Sequence, residues 1–479
     1  MQFSVVTKSA LENIAFRLDP EYYQPNYLHL YKKLLLKNHV ALKDISTVTD
    51  GIHEAPRFDS ESPINLISAK APKENYFDLS SSGKISVEHD KKNPRTRLQI
   101  NDVILSSTGT IGNCAVADES IMPANCDRDV GIIRIKNKRY KPRFISTFLL
   151  SKYGKFQSIR ESTGNVQLHL FIYKIKEIII PDFSENFQSS IENICSEANK
   201  AIICSAEMYY QAEHMLLSEL GLLNWKPKHR LSFVKKYSDT DIAGRIDAEY
   251  FQPMYEEILN RSTGKVKTYK ANEIFSFRRG DFIDTKYYCQ QKTKRAYLRI
   301  KELSNNGTIN SSEVIYLNDS FDGSPSNTLK ENDIVMAIIG DTIGKSNLIL
   351  KEFVGSYFSN NTGRFRLRPE AKDSYDAFYL ETLFHSIYIQ SQIERAKAQT
   401  GQPKISDKEV QNILIPCLPL NKQRQIGENI KKAIENKNQS KYLLDIAKRG
   451  VEMAIEKDEA IAERWIKAEV KKLGVEVAS

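Results

Sequence analysis

After Pro181, apolar and small residues recur three and four positions apart: Ile191, Ile194, Ala198, Ala201, Ser205, Met208, Ala212 and Met215, with neither glycine nor proline before Gly221. That period predicts an amphipathic helix. A second stripe follows Pro419, through Ile426, Ile430, Ala433, Ser440, Leu444, Ala447, Val451, Ala454, Ile461, Trp465 and Ala468; Lys437 and Asp458 interrupt it, and Gly427 and Gly450 weaken it. Stripes this long and narrow suit a coiled-coil seam, with a helix packed on its own domain as the alternative. About 36 residues at ~1.5 Å each make a helix roughly 54 Å long. Ahead of each stripe the texture changes to short β-branched and aromatic runs such as Asp102–Leu105, Gly131–Ile135 and Tyr297–Ile300, punctuated by Gly, Pro, Asn and Ser. These predict a mixed, loop-rich α+β fold.

The pattern occurs twice. Arg17-Leu-Asp19-Pro-Glu21-Tyr22-Tyr23-Gln24-Pro25-Asn-Tyr27 returns as Arg245-Ile-Asp247-Ala-Glu249-Tyr250-Phe251-Gln252-Pro253-Met-Tyr255. Asn101-Asp102-Val103-Ile104-Leu105 and Gly109-Thr110-Ile111-Gly112 return as Asn332-Asp333-Ile334-Val335-Met336 and Gly340-Asp341-Thr342-Ile343-Gly344. Thr163-Gly164-Asn165 and Ile178–Pro181 return as Thr400-Gly401-Gln402 and Ile413–Pro416. Order and spacing hold across separated blocks, so the chain reads as two copies of one module, roughly 1–222 and 231–473. Pairing the two helices antiparallel would relate the copies by a pseudo-two-fold axis.

Composition narrows the class. The 479 residues exceed what one core organises, and 69 Lys+Arg against 60 Asp+Glu give +9, a mild excess that permits a polyanionic partner. No apolar run approaches the roughly 20 residues that span a bilayer. The start MQFSVVTKSALE has no signal-peptide core, so a cytoplasmic protein without membrane contact is expected. Six cysteines with no CxxC pair read as reduced thiols.

These blocks resemble those of the specificity subunits of type I restriction-modification systems. Asn332-Asp333-Ile334-Val335 leading to Gly340-x-x-x-Gly344-Lys345 is similar to one framework block of that family. Thr400-Gly401-Gln402-Pro403-Lys404-Ile405-Ser406, followed by Ile413-Leu414-Ile415-Pro416-x-x-Pro419-Leu420-x-x-Gln423-x-x-Ile426, is similar to the block joining a target-recognition domain to its helix. The chain departs at Asp182-Phe183-Ser184, where the family has Pro-Pro-Leu, and at Lys422, where it has Glu.

The resemblance implies an α+β fold: two mixed α/β target-recognition domains joined by two long antiparallel coiled-coil helices, as a pseudo-two-fold internal repeat. The divisions are 1–183 (first recognition domain), 184–222 (central spacer helix), 223–230 (linker), 231–417 (second recognition domain) and 418–473 (C-terminal spacer helix). It further implies a non-catalytic subunit whose domains each read half of a bipartite, asymmetric site on double-stranded DNA. Its partners would be two methyltransferase subunits and restriction motor subunits, which hold S-adenosylmethionine, ATP and Mg; no cofactor or metal is expected in this chain. No Asn-Pro-Pro-Tyr/Phe motif is present.

Candidate DNA contacts are the basic loop Lys91, Lys92, Arg95 and Arg97 and its nearest equivalents Arg278, Arg279, Lys292, Lys294 and Arg295, with Tyr287, Tyr288 and Tyr297 interleaved. Lys and Arg neutralise phosphates, and Arg also reads base edges. Arg364, Arg366 and Arg368 alternate with Phe365 and Leu367, so one strand face would present three guanidinium groups; Arg134 matches Arg366, and Asn125 and Arg128 precede that strand's counterpart. The tyrosine-rich repeat block reads as a structural turn, or as a docking surface for the methyltransferase.

Other readings compete. Gly340–Ser346 resembles a phosphate loop but has three residues between its glycines where four are needed. Histidines 29, 39, 53, 89, 169, 214, 229 and 385 show no zinc spacing, and Asp281-x-x-Asp284-x-Lys286 is the sort of triple a metal nuclease uses. A protein-binding adaptor of the same architecture and a stand-alone nucleotide-dependent enzyme are the alternatives.

Overall fold

A computed structural model describes residues 4–8, 11, 17–80, 82–164, 167–289, 291–304, 307–311, 314–397 and 403–475. Asn165 and Thr400-Gly401-Gln402 of the repeat lie outside them. The chain forms two compact units: Met1–Ile203 with Lys437–Ser479, and Cys204–Asn436.

In the first unit a four-stranded antiparallel sheet runs in the order Ser46–Asp50, Val130–Ile135, Val103–Ser106, Cys114–Val116. A three-stranded sheet, Gly83–Ile85, Ile64–Ile67, Ala124–Cys126, lies in the same unit. The period-2 alternation of the strand Val103–Ser106 explains the layering. Val103 and Leu105 enter the core shared with the helices, while Ile104 enters a smaller core with Ile67 of the second sheet. A strand buried on both faces reads as a continuous apolar run, as Val103-Ile104-Leu105 does before Ser106. A short pair, His39–Ala41 with Ile179–Pro181, completes the sheets.

The second unit repeats the design. Its four-stranded sheet has the order Phe275–Arg279, Thr362–Leu367, Ile334–Ala337, Ser346–Leu348. Ile334 and Met336 face the helical core and Val335 and Ala337 the smaller one. The companion sheet gains a strand, in the order Tyr288–Cys289, Ile315–Leu317, Ala296–Leu298, Tyr357–Phe358.

Both framework blocks make the same turn. Asn101 and Asn332 adopt φ of 74° and 67°, a conformation asparagine tolerates better than most residues. The next residue, Asp102 or Asp333, is buried and accepts the backbone N–H of Gln99 (2.8 Å) or Lys330 (2.7 Å). The tyrosine block makes the same internal contacts in both copies. The Arg17 and Arg160 guanidiniums lie 4.7 and 4.0 Å from the Tyr22 ring centre, and those of Arg245 and Arg395 lie 4.5 and 4.6 Å from Tyr250. Arg17 also binds Asp19 at 2.7 Å and the carbonyls of Arg160 and Ser162, tying the chain's start to a helix end.

The stripes form helices Glu185–Glu219 and Leu420–Glu456. Within the second unit Ser205 donates to the Ala433 carbonyl (2.7 Å), Asn429 to the Met215 sulfur (3.6 Å), and Lys422 pairs with Glu219 (2.9 Å). One set of numbers rises as the other falls, so the segments are antiparallel. In the first unit Ile191, Ile194 and Ala198 share a core with Leu443, Ala447 and Val451.

Gly427 and Gly450, read as weak points, are close approaches: a Cβ would meet Asp376 Oδ1 at 2.2 Å in one case and Ile466 Cδ1 at 2.5 Å in the other. The helix expected over 418–473 is two helices. Asp458 caps the second, Glu459–Lys472, accepting the Ile461 N–H at 2.7 Å. The segment 223–230 is also anchored, with Trp225 buried in the second unit and Arg230 gripped through its backbone by Gln252.

Candidate nucleic-acid interface

Arg134 and Arg366 belong to the framework. Arg134 donates to both oxygens of Asp102 (2.7 and 2.6 Å) and to the Arg97 carbonyl; Arg366 binds Asp333 at 2.7 and 2.6 Å and the Thr328 carbonyl. Each is a two-pronged guanidinium–carboxylate pair on a buried acid.

The expected face of three guanidiniums is therefore not formed. Arg366 is engaged, Arg364 is only 5% exposed, and Arg368 lies beyond the strand end, donating to the Asn272 carbonyl at 3.1 Å. Alternation located the face correctly, but Arg364 is buried there beside Phe358 of the companion sheet, and Arg366, partly exposed, is taken up by Asp333. Burial, reinforced by Arg366 and Arg278, lowers the pKa of Arg364 from its ordinary value.

The basic loop divides. Lys91 and Lys92 are exposed, with Lys92 3.1 Å from Glu88. Arg95 reaches Asp50 at 3.2 Å and Arg97 reaches Asp90 at 2.8 Å. In the second unit Lys292 and Lys294 are exposed, Arg295 donates to the Phe321 carbonyl at 2.6 Å, and Arg279 pairs with Asp407 and the Ile405 carbonyl. Arg278 stands opposite Arg364 across the strand pair. Of the interleaved tyrosines, Tyr297 is buried and Tyr287 packs edge-on against Phe321. Asn125 is buried and bound to Asp90 at 2.9 Å.

Arg128 is exposed and lines an open groove of about 570 Å³ in the first unit. Asp50, joined to His53 at 2.6 Å, forms one wall. The other wall is a ladder of rings. His169, held by Thr108 at 2.7 Å, meets Phe171 edge-on with centres 4.7 Å apart, and Phe171 stacks on Tyr173 at 5.9 Å and 18°.

Phe171 and Tyr173 are 44% and 49% exposed, whereas Leu170, between His169 and Phe171, is buried and Ile172 is partly so. That alternation, His-Leu-Phe-Ile-Tyr, is the signal that would have found the ladder in the sequence. The same register in the second unit, fixed by the bridge of Ile339 with Lys404 matching Thr108 with His169, presents exposed Lys404, Ser406 and Lys408. Rings and a histidine in one unit are replaced by two ammonium groups and a hydroxyl in the other.

The decoys resolve structurally. Gly340 and Gly344, both at φ of 93°, turn the strand Ile334–Ala337 into the strand Ser346–Leu348, with Gly344 N–H on the Ala337 carbonyl at 3.0 Å. No helix begins there to receive a phosphate. Asp281 accepts from Asn327 at 2.6 Å and Asp284 caps a short turn through the Lys286 N–H at 3.0 Å. Among the described residues no group of three His, Cys, Asp or Glu could hold a metal ion, and no helix is long and apolar enough to cross a membrane.

Comparison with known proteins follows the duplication. The type I restriction modification DNA specificity domain matches residues 38–203 and again 264–443. The S subunit of a type I restriction-modification system from M. genitalium is 14% identical, covering 90% of this chain and 95% of that one, with a TM-score of 0.41. The HsdS subunit from Thermoanaerobacter tengcongensis is 13% identical over 90% and 97%, with a TM-score of 0.29. A type I restriction-modification structure described in terms of complex assembly and conformational transition is 15% identical over 91% and 97%, at 0.27. No curated protein matches the chain. With the domain present twice and covering well over half of the sequence, the chain belongs to the type I restriction-modification DNA specificity family.

Proposed function

We propose that each unit reads one half of a bipartite site on double-stranded DNA, and that the chain itself performs no chemistry. The long helices set the spacer between half-sites and dock two methyltransferase subunits, with restriction motor subunits joining them. S-adenosylmethionine, ATP and Mg reside in those partners. The methyltransferase would act on an adenine drawn out of the stack.

The observation that carries this reading is one framework bearing two different faces. Asp102–Arg134 and Asp333–Arg366 are held alike, whereas the equivalent groove positions carry His169, Phe171 and Tyr173 in one unit and Lys404, Ser406 and Lys408 in the other. A device that reads two unlike half-sites needs that combination. Exposed lysines suit phosphates, and the rings and Arg128 suit groove walls and base edges.

The test is methylome sequencing of DNA from cells expressing this chain with a cognate methyltransferase. N6-methyladenine at a split, asymmetric motif that disappears when the chain is deleted is the expected result. A palindromic motif, or methylation that persists without the chain, would overturn the reading.

A further inference from the structure

Arg278 and Arg364 face each other directly in the antiparallel register of Phe275–Arg279 with Thr362–Leu367. Like charges at directly opposed positions repel. The carboxylate nearest in the framework, Asp333, already has both oxygens occupied by Arg366. Arg364 is 5% exposed, yet its Nε and Nη1 have no hydrogen-bond partner; the Phe358 ring centre lies 6.0 Å from its guanidinium carbon, and Asp333 favours its charge only through space. Among the described residues neither arginine makes an ion pair. The first unit shows that the strands do not require this. There the register pairs Thr49 with Ile132, and Ile132 sits in an ordinary apolar core.

A buried guanidinium with free donors beside a second cation lacks an anion, and its planar fork fits the paired oxygens of a phosphate. We propose that Arg364 and Arg278 form a phosphate oxyanion site peculiar to the second unit, which a phosphodiester of the bound duplex fills. The duplex assignment rests on the DNA-reading function proposed above; the anion site does not. Arg364 supplies the held, desolvated donors and Arg278, half-exposed, the entry side.

The experiment compares the full chain with Arg278→Thr/Arg364→Ile, which installs the first unit's own residues, and with Arg278→Thr alone, a change at the more exposed position. Melting temperature is measured in potassium phosphate against potassium chloride at equal ionic strength, and duplex affinity is measured across a salt series. The expected result is a phosphate-dependent rise in the parent that both variants lose, together with a log K against log salt slope shallower by about one, the signature of one lost phosphate contact. A phosphate response retained in the folded variants overturns the site. A lost response with an unchanged slope assigns the site to free phosphate and overturns the duplex phosphodiester. If the parent binds no duplex at any salt, the DNA-reading function fails, and the phosphate response still decides the arginine site.

Discussion

The two units share a sheet order, a turn, a buried aspartate and a tyrosine between two guanidiniums, and they differ where those features point outward. At the first unit's groove an arginine, a histidine and two stacked rings face solvent; at the second unit's equivalent edge stand lysines, with an arginine pair beneath the companion sheet. The comparison teaches that residues bearing the most obvious charge, Arg134 and Arg366, are the ones the repeat keeps for internal use. Side chains free to differ sit where a bridged residue, His169 or Lys404, leads into a short helix, Ile172–Lys176 in one unit and Asp407–Gln411 in the other.

The largest effect should come from attacking what is shared. Asp102→Ala leaves Arg134 without its partner and the Gln99 N–H unmet, and Asp333→Ala does the same to Arg366. Each should cost about 3 kcal/mol, the lower part of the range for a broken buried pair because the arginines are partly exposed. Chemical denaturation should return similar losses for the two, and a large inequality would break the equivalence of the units.

The tyrosine clamp should separate them modestly. Tyr22 is buried and also donates its hydroxyl to Glu161 at 2.7 Å, whereas Tyr250 is half-exposed. Tyr22→Leu is expected to cost about 2 kcal/mol and Tyr250→Leu about 1 kcal/mol, read by the same denaturation.

Tyr173→Lys, which copies Lys408, sharpens the contrast at the groove. Melting temperature should not move, while discrimination by the first unit's half-site should relax by roughly 10-fold and the other half-site should be unaffected. An equal loss at both half-sites would refute the division of labour.

The smallest effect is electrostatic. Burial alone would lower the pKa of His385, but Glu381, 3.0 Å away and itself buried, outweighs burial and raises it above the ordinary 6.5. A raised value means that the pair's contribution is fully present below pH 6.5 and is lost as pH climbs through the folded value. The corresponding positions of the first unit are Ser146 and Leu150, with no such pair. Thermal melts between pH 6 and 8.5 should show the second unit softening by about one or two degrees. His385→Leu should flatten that dependence, and a slope that survives it would assign the effect elsewhere.

Much of this fold was legible because its signals are local. Asparagine in a positive-φ turn, an apolar run of four and a three-four stripe each constrain the backbone where they stand. What alternation could not supply was the layer above a strand. Arg364, Arg366 and Arg368 share a face by period, but the surroundings that bury Arg364 and the aspartate that binds Arg366 come from elsewhere in the sequence. The pairing of Arg134 was hidden for the same reason, since its partner Asp102 is remote in sequence and only the fold joins them. His169, Phe171 and Tyr173 carried a readable alternation, but no lysine or arginine stands among them to mark the segment.

The partition of the chain also sets an order of manufacture. The core of the first unit includes Leu443, Ala447, Val451 and Ile466, residues made only after the whole of Cys204–Asn436 has been synthesised. At ribosomal speed that delay is on the order of tens of seconds. Throughout that time the stripe of Ile191, Ile194 and Ala198 has no covering helix, and when it ends the second unit has every part it needs while the first does not. The domain that leaves the ribosome first is therefore the last to be completed, and a nascent chain stalled before Lys437 would expose an apolar seam for chaperones to guard.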